Sequence, residues 1–290
     1  MPNLTVAVCT RNRADKLDTT LRSLLAQSLD ETAYEIVVVD DGSTDRTEAV
    51  VRAVSGQAIP AIKYLRQDHS GSSAARNRCA REASGELICY VDDDVEVEPS
   101  WLEAVVAGAS RNPEASCFAG RVIVRLEGKA PRTCDREYLA ASLDEGNEER
   151  VVDRAVGANM AIRKQAFKDV GPFNEALWWQ WDEYEWQDRL HARGGQIVYL
   201  PMARVWHRRV EADLKRGRLL KNRFRWGTCY PIYARETNKL VPVWPEVRHL
   251  FISLAHAVRR RCFGGLLMVF FRLGVLSAVA RGRLGAGRFP

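Results

Sequence analysis

Three consecutive aspartates, Asp92 to Asp94, follow the apolar run LICYV. Like charges this close repel one another, so buried carboxylates cannot all stay ionised without a counter-charge. Side chains alternate between two faces in an extended segment, so we expect Asp92 and Asp94 to share a face and Asp93 to oppose them. Two carboxylates on one face supply part of a ligand shell for Mg²⁺ or Mn²⁺. The spacing therefore indicates a divalent metal site, and a solvated acidic loop is the alternative.

Polar residues also follow two other predicted strands. The apolar run Leu4–Cys9 is followed by Thr10 and Arg11, and the run EIVVV is followed by Asp40 and Asp41. Helical spacing of apolar residues separates these runs, which predicts an α/β fold with a mainly parallel, Rossmann-like sheet flanked by helices. Ligands bind such sheets outside the carboxyl ends of the strands. We therefore expect these polar groups to lie along one edge. The predicted helices are Asp15–Ser28, a helix from Asp45 to about Ala53, and SSAARNRCAREAS, which Gly85 is expected to close.

The composition indicates a globular protein with an anionic partner. The chain has 290 residues, 46% of them hydrophobic, and a formal net charge of +6, enough for one large α/β domain and an appendage. The basic residues concentrate near the C-terminus beside apolar runs, which favours an anionic membrane surface over nucleic acid. Seven scattered cysteines without metal-ligand spacing favour isolated thiols in a reducing compartment. The N-terminus begins with a predicted strand, so we expect a cytoplasmic protein.

Residues 215–290 are predicted to form a helical extension. Cys262–Ala280 is apolar except for Arg272, and a central arginine is costly in a spanning helix. We therefore expect a helix that lies in the interface at the cytoplasmic face of the cell membrane, and a buried helix or dimer contact is the alternative. The segment Val241–Leu254 is expected alongside. The residues expected in the acyl boundary are Leu266, Leu267, Val269, Phe270, Phe271, Leu273 and Leu276.

Several blocks of the chain resemble the family 2 glycosyltransferases. They read VAVCTRNR, EIVVVDDGSTD, GSSAARNRCAREASGELICYVDDD, VGANMAIRKQAF with VGPFNE, and QDRLHARGGQIVYLPMARVWH, and they cover roughly residues 4–207. The resemblance implies a GT-A fold, a nucleotide-sugar donor, a divalent metal and inversion at the anomeric carbon. It also implies that residues 1–100 bind the donor and that residues 101–214 bind the acceptor.

The resemblance carries donor and metal roles onto matching positions. Thr10 and Arg11 would line the nucleotide pocket, and Asp41 would bind the base or ribose from a turn that Asp40 shapes. The remaining residues implied on the donor or metal side are Arg76, Asn77, Asp92, Asp93, Asp94 and His207. Of these, Asp92, Asp94 and His207 would hold the metal. Asp93 matches the donor side by position, but a solvent-facing or helix-capping role is the preferred interpretation.

The acceptor side is expected around WWQWDEYEWQDRL. Sugar transfer needs a carboxylate near the acceptor hydroxyl as general base. The resemblance implies that Glu183 is the base, at a position where family members most often have Asp. Asp182 is the second candidate. Acids at the start of a helix also interact favourably with its dipole, which is the structural alternative. Gly157, Asn159, Trp179 and Trp181 are expected to contact the acceptor, although tryptophans in this segment can equally be core.

Two other functions stay open at this point. A nucleotidyltransferase also combines a parallel sheet with aspartates and metal, but such enzymes tend to carry a glycine-rich loop where this chain has CTRNRADK. A non-catalytic nucleotide-binding scaffold would not need the acids that are present. Within the family a UDP-sugar is the commonest donor, and no residue excludes guanosine or thymidine. The acceptor is expected to be a glycan or a lipid-linked molecule.

Overall fold

The computed structural model describes residues 4–56, 60–134 and 139–283. The chain forms two compact units. The first unit comprises Met1–Arg125, Ala141–Trp178 and Asp182–Arg208, and the second comprises Leu126–Ala140, Trp179–Trp181 and Arg209–Pro290. The predicted division at residue 214 rests on composition, which does not reveal that two earlier segments join the second unit. Residues 284–290 of the predicted extension lie outside the described residues.

Four parallel strands form one half of the sheet. Their order is β3-β2-β1-β4. Strands β1, β2 and β4 are mainly buried apolar runs, whereas β3 at the edge of the sheet is only partly buried, and each of the four ends at a polar residue. In such a run, neighbouring side chains face opposite sides: Val6 belongs to one core cluster and Ala7 to the other. The strands are β1 (Leu4–Thr10), β2 (Tyr34–Asp40), β3 (Ile62–Arg66) and β4 (Leu87–Asp92). All four predicted strands are therefore present.

The rest of the sheet is antiparallel. Among the described residues the sheet has nine strands, and β8 pairs antiparallel with both β4 and β6. The long strand β9 pairs antiparallel with β5 and β7. The sheet is therefore mixed, with its parallel strands at one side. The bounds are β5 (Val95–Val97), β6 (Cys117–Glu127), β7 (Arg150–Val152), β8 (Asn159–Arg163) and β9 (Ile197–Val210).

Helices cover both faces of the sheet in the first unit. Leu17, Leu21 and Leu24 bury one stripe of α1 in the same cluster as Trp101 of α4, as the helical spacing predicts. Helices α3, α5 and α6 pack into the cluster on the opposite face. The bounds are α1 (Ala14–Leu25), α2 (Thr47–Ser55), α3 (Ser72–Glu82), α4 (Trp101–Arg111), α5 (Lys164–Val170) and α6 (Asp182–Ala192).

Helix α3 ends at Glu82, earlier than the predicted closure at Gly85. A Cβ atom at Gly85 would clash with the backbone of Leu4 and Thr5. This glycine therefore serves the close approach of β1 and does not cap the helix.

The described residues of the second unit form three long helices, α7 (Arg216–Glu236), α8 (Val243–Arg259) and α9 (Phe263–Arg283). Helices α7 and α9 approach closely at two glycines. A Cβ at Gly227 would clash with the carbonyl oxygen of Phe271, and a Cβ at Gly274 would clash with that of Phe224. Missing side chains therefore allow the two backbones to touch, as small residues do where helices pack tightly.

Helix α9 is about half buried within the second unit. The segment Phe263–Gly282 is long and apolar enough to cross a membrane, but half of it is buried within the protein. Leu267, Val269 and Phe271 are buried, so the prediction that these three lie in an acyl boundary is wrong. Arg272 donates to the carboxylate of Glu246 on α8 at 2.7 Å. The charge that looked costly in the sequence therefore has a partner inside the unit.

Candidate active site

The candidate metal ligands meet beyond the end of β4. One oxygen each of Asp92 and Asp94 and a ring nitrogen of His207 all lie within 4.8 Å of one another. The antiparallel register places Val95 of β5 opposite His207 of β9, so the imidazole lies beside the residue that precedes β5. The side chains of Asp94 and His207 are each 2% exposed. The structure thus brings together the three residues that were predicted as metal ligands.

Two contacts orient the His207 ring. Nδ1 lies 2.9 Å from the carbonyl oxygen of Ala141, and Nε2 lies 3.1 Å from Oδ1 of Asp94. A carbonyl oxygen only accepts, so Nδ1 carries a proton and a neutral ring presents its Nε2 lone pair to a carboxylate. Two acceptors that face one another need a proton or a cation between them. A carbonyl bonded to the far ring nitrogen also orients many metal-binding histidines, so this donor set fits a divalent cation.

Asp93 is buried in a separate network. It accepts a hydrogen bond from the Thr10 hydroxyl at 2.7 Å and one from Arg13 at 2.8 Å. Burial raises the pKa of Asp93, and the Arg13 guanidinium opposes that effect. Arg13 and Lys16 also approach Asp94, at 3.2 and 3.5 Å. The interpretation of Asp93 as solvent-facing or helix-capping is therefore wrong, because the Arg13 guanidinium and the Thr10 hydroxyl bind its carboxylate inside the protein.

The turn after β2 is built by Asp40. Its Oδ1 accepts from the backbone N–H of Ser43 at 2.8 Å, and its Oδ2 accepts from the Tyr64 hydroxyl at 2.6 Å. These contacts agree with a role in shaping the turn. On the neighbouring strand β1, Arg11 follows Thr10 and has an exposed side chain, which leaves its predicted contact with a nucleotide untested.

Asp41 orders the loop before α3. One oxygen accepts from the Gln67 amide and the Ser70 backbone, at 2.9 and 2.8 Å. The other accepts from the Gly71 backbone at 2.9 Å and lies 2.6 Å from Nδ1 of His69. Burial opposes ionisation, but these hydrogen bonds outweigh it and lower the pKa of Asp41. Both oxygens are therefore engaged with residues 67–71, and the predicted contact of Asp41 with a base or ribose stays a prediction.

Arg76 joins the two groups of acids. This partly buried residue of α3 donates to Asp182 and has a nitrogen 3.6 Å from Oε2 of Glu183. Its other terminal nitrogen lies 4.0 Å from Oδ1 of Asp92. One guanidinium therefore reaches from the carboxylate at the end of β4 to the two carboxylates that open α6.

Asp182 and Glu183 have opposite protonation tendencies. Burial and the nearby negative charge of Asp182 raise the pKa of Glu183 to about 8. Burial works in the same direction on Asp182, but Arg76 and a hydrogen bond from Glu183 outweigh it, and the pKa of Asp182 is lowered. Of the two carboxyls, Glu183 is therefore the one that holds a proton more readily. A carboxylate with its pKa near the working pH is the stronger base of the two.

The small residue Gly157 makes room for this cluster. A Cβ atom there would lie 2.7 Å from a terminal nitrogen of Arg76 and 3.5 Å from Oε1 of Glu183. Asn159, two residues on, is buried between strands. Its side chain accepts from the Trp101 indole at 2.9 Å and donates to the Ala203 carbonyl at 2.8 Å. These are structural contacts, and a contact of Asn159 with an acceptor stays a prediction.

Asn77 anchors the segment that precedes α6. Its amide donates to the Phe173 carbonyl and to the Glu175 carboxylate, both at 2.9 Å. Its oxygen accepts from the Phe173 backbone at 2.8 Å. The side chain is 98% removed from solvent, so its contacts serve the loop, and the implied donor contact is untested.

Two of the predicted acceptor residues, Trp179 and Trp181, belong to the second unit. The ring of Trp181 stacks on Tyr233 with centroids 5.2 Å apart and also packs against Trp226. The Arg225 guanidinium lies 4.9 Å above the Trp179 ring. These rings have clear packing roles, and their contact with an acceptor stays a prediction from the sequence.

The sequence interpretation did not single out Arg13 or the loop residues Gln67 and Ser70. Arg13 carried a usable signal, since it lies one helical turn before Lys16 at the start of α1 and both are basic. The loop residues act partly through their backbone N–H groups, which any residue type supplies. Their role follows only from the position of Asp41.

Two solved structures with a similar architecture are glycosyltransferases. GalNAc-T7 with UDP, GalNAc and Mn²⁺ matches with a TM-score of 0.61 and 18% identity, over 85% of this chain and 51% of that one. The mannosyltransferase PcManGT from Pyrobaculum calidifontis, in complex with GDP-Man and Mn²⁺, matches with a TM-score of 0.62 and 21% identity, over 100% of this chain and 77% of that one. The fold is therefore the GT-A fold of glycosyltransferases, as predicted.

The family follows from the sequence comparison. The family model described as Glycosyl transferase family 2 matches residues 5–171, more than half of the chain, so the chain belongs to this family. A glucosyl-dolichyl phosphate glucuronosyltransferase from Haloferax volcanii is 25% identical over 221 residues, which are 72% of this chain and 70% of that protein. The chain spans about half the length of other curated relatives. The protein is a glycosyltransferase, and its fold and family support a nucleotide sugar as donor.

Proposed function

We propose that the protein transfers a sugar from a nucleotide sugar to an acceptor hydroxyl with inversion at the anomeric carbon. The observation that carries the proposal is the reach of Arg76 from Asp92 to the Asp182 and Glu183 pair. The metal group and the base both lie within contact distance of this one guanidinium, so they are close enough to act on one substrate. A single displacement needs only these two parts.

Asp92, Asp94 and His207 would hold the divalent cation. When bound, the cation offsets the negative charge that develops on the leaving nucleoside diphosphate. The two structural neighbours are described with Mn²⁺, which supports a metal here. Because one of the three donors is an imidazole nitrogen, we expect Mn²⁺ to bind better than Mg²⁺, which prefers oxygen ligands.

Glu183 would act as the general base. It takes the proton of the acceptor hydroxyl while the hydroxyl oxygen forms the new bond to the anomeric carbon. The bond from that carbon to the diphosphate oxygen breaks on the opposite face, and its electron pair stays with the diphosphate. Arg76 and Asp182 hold Glu183 in place, and the negative charge of Asp182 strengthens it as a base.

The donor side divides into contact and positioning residues. We propose that Thr10, Arg11 and Arg76 lie closest to the nucleotide diphosphate. Asp40 and Asp41 order the turn and the loop that face the base. Asp93 and Asn77 would support these elements through the contacts described above. A UDP-sugar is the preferred donor, and a GDP-sugar is the alternative, since one structural neighbour is described with UDP and the other with GDP-Man.

A lipid-linked acceptor fits the chemistry of helix α8. Trp244, Phe251 and Val258 share one face of this helix and are 79%, 63% and 70% exposed. Exposed arginines lie on the same helix at Arg248 and Arg259, and two more follow its end at Arg260 and Arg261. A face of large apolar side chains flanked by arginines suits an anionic membrane surface. The name of the Haloferax relative, which refers to a dolichyl phosphate, supports this assignment.

The direct test is donor turnover by the full chain. A panel of UDP- and GDP-sugars with Mn²⁺ and a lipid-extract acceptor should give transfer from one donor class, and NMR of the product should show the opposite anomeric configuration to the donor. Retained configuration would refute the inverting mechanism. Full turnover in excess chelator would refute the metal.

A further inference from the structure

A second group of metal-binding side chains lies in the second unit, among residues that the proposed reaction does not use. Sγ of Cys134, Sγ of Cys262 and a ring nitrogen of His256 all lie within 4.8 Å of one another. Sγ of Cys134 is 2.9 Å from Nε2 of His256. Cys262 is buried, whereas the other two are exposed, so the group is reachable from solvent. Neither cysteine is in a disulfide.

The local fold holds the three segments together. The backbone N–H of Phe263, the first residue of α9, donates to the Arg132 carbonyl at 2.8 Å. The N–H of Cys262 donates to the Ala257 carbonyl at 3.1 Å, which closes the corner between α8 and α9. A Cβ at Gly265 would lie 2.9 Å from Cδ2 of His256, so this glycine lets the first turn of α9 approach the ring. The group is therefore fixed by backbone contacts on all three sides.

The position of Cys262 suits a ligand. Its Sγ lies within 4.8 Å of the ligand atoms of both Cys134 and His256. Cys262 also directly precedes the N-terminus of α9, where the helix dipole favours negative charge.

We propose that Cys134, His256 and Cys262 form a zinc site, with a fourth position open to water. Zinc is bound by thiolate sulfur at about 2.3 Å and by imidazole nitrogen at about 2.0 Å in a tetrahedron. Those bond lengths put neighbouring ligand atoms roughly 3.5 Å apart. This distance is compatible with the structure, in which the three ligand atoms lie within 4.8 Å of one another. Sulfur ligands select zinc over Mg²⁺ and Mn²⁺, so this site and the oxygen-rich group at Asp94 take different metals.

The zinc site would fasten the loop that carries Cys134 to the corner between α8 and α9. This role does not depend on the proposed transfer reaction. A site with one solvent-facing position also explains why two of the ligands are exposed.

The test uses the full chain, kept reduced throughout, with Zn²⁺ or Co²⁺ alone as probe. After incubation with Zn²⁺ and desalting, we expect about one bound zinc per chain by elemental analysis in an Asp94→Asn background, where the acidic group is impaired. Co²⁺ in its place should give the thiolate-to-metal charge-transfer absorption that oxygen and nitrogen ligands do not produce. This spectrum is recorded on protein in which Cys134, His256 and Cys262 are all intact.

Variants assign the ligands. Cys262→Ser and Cys134→Ser should each lower bound zinc at least tenfold and remove the charge-transfer band. Cys229→Ala, which removes a buried thiol of α7, is the matched control and should keep both. The proposal is overturned if the protein with all three ligands intact binds no zinc and shows no Co²⁺ band. A disulfide between Cys134 and Cys262 in the reduced protein would also overturn it. So would zinc binding that is unchanged in both serine variants.

Discussion

Asp94 and His207 are 113 positions apart in the sequence, yet Oδ1 of one lies 3.1 Å from Nε2 of the other. The antiparallel pairing of β5 with β9 produces this contact. Because the other ring nitrogen of His207 is bonded to a backbone carbonyl, the nitrogen facing Asp94 is the one free to bind a cation.

Removing either partner should weaken metal binding. We expect Asp94→Asn and His207→Ala to reduce Mn²⁺ affinity by about tenfold or more, the scale on which metal sites lose affinity when their ligand sphere is disturbed. Titration calorimetry with Mn²⁺ and UDP or GDP measures this directly. His249→Gln, at an exposed histidine of α8, is the control and should bind as the unsubstituted protein does. Equal affinity in all variants would contradict the metal assignment.

Glu183→Gln should abolish most of the turnover. It keeps the size of the side chain and removes its basicity, so we expect kcat to fall by roughly 100-fold or more while nucleotide binding survives. Asp182→Asn should act less on kcat, since it removes a neighbour of the base. Steady-state kinetics with one donor compares the two.

The pH profile supplies the control for this assignment. In the unsubstituted enzyme kcat/KM should rise with pH through an apparent pKa near 8, because Glu183 must lose its proton. Glu183→Gln should lack this rise in its residual activity. If Asp182→Asn abolishes the rise and Glu183→Gln keeps it, Asp182 is the base.

Stability should depend on pH through the same carboxyl. The folded-state pKa of Glu183 is raised from 4.5 to about 8, so folding favours its protonated form. This stabilisation is fully present below about pH 4.5 and is lost as the pH rises through 8. Glu183→Gln cannot ionise, and it should therefore gain stability relative to the unsubstituted protein between pH 5 and 9, by at least about 1 kcal/mol.

Chemical denaturation at several pH values measures this difference. Asp182, whose pKa is lowered, loses its contribution only in strong acid and does not affect this window. Glu103→Gln, at an exposed position of α4, should show no such pH dependence. A constant difference for Glu183→Gln across the range would contradict the raised pKa.

Gly157→Ala should impair catalysis more than folding. Its methyl group would lie 2.7 Å from the Arg76 guanidinium, which must shift and release Glu183. We expect kcat to fall by about tenfold or more, as small misplacements of catalytic groups do, with the melting temperature nearly kept. Gly217→Ala is the matched control, since nothing lies within 4 Å of the added Cβ. Unchanged kinetics in Gly157→Ala would argue against the role of Arg76.

Helix α8 should account for membrane attachment. The double variant Trp244→Ser and Phe251→Ser should lose affinity for phosphatidylglycerol vesicles by about tenfold or more, given the apolar surface it removes. Val151→Ser removes an exposed apolar side chain of the first unit and should sediment with vesicles as before. Deletion of the whole extension is a poorer test, because it would expose the face of α7 that packs on α9. If all of these proteins sediment equally with vesicles, the exposed face of α8 is not the membrane-binding surface.

Local patterns were sufficient to predict the strand ends and the carboxylates of the metal group, whereas His207 was assigned only through the resemblance to the family. Strands β1, β2 and β4 are mainly apolar runs that each end at a polar residue, so Thr10, Asp40 and Asp92 were identifiable one strand at a time. The predicted alternation does not hold at Asp93, because Asp93 and Asp94 form a turn after β4 and one Arg13 nitrogen contacts both carboxylates. The burial of Asp93 was not predicted either. Burial depends on Arg13, which arrives from another strand end.

Contacts between distant segments account for what the sequence did not reveal. The hydropathy of α9 predicted a helix at the membrane surface. Hydropathy contains no information about α7, which packs closely against α9 at Gly227. The thiol group was missed for the same reason, since Cys134 and His256 are 122 positions apart and no local spacing relates them. Family resemblance predicted the roles of residues, but it could not predict that Asn77 bonds to Phe173.

The glycine contact between α7 and α9 has a consequence for how much these helices can vary. Backbone atoms set the separation of the two helices at Gly227 and Gly274, so the surrounding apolar side chains fill a gap of fixed width. Exchanges among them that keep their volume are tolerated in such a gap. Adding a single methyl group at either glycine forces the helices apart along their whole length. The distance between α7 and α9 is thus determined by the absence of a side chain at Gly227 and at Gly274. Volume-conserving substitutions elsewhere in α9 leave this distance unchanged.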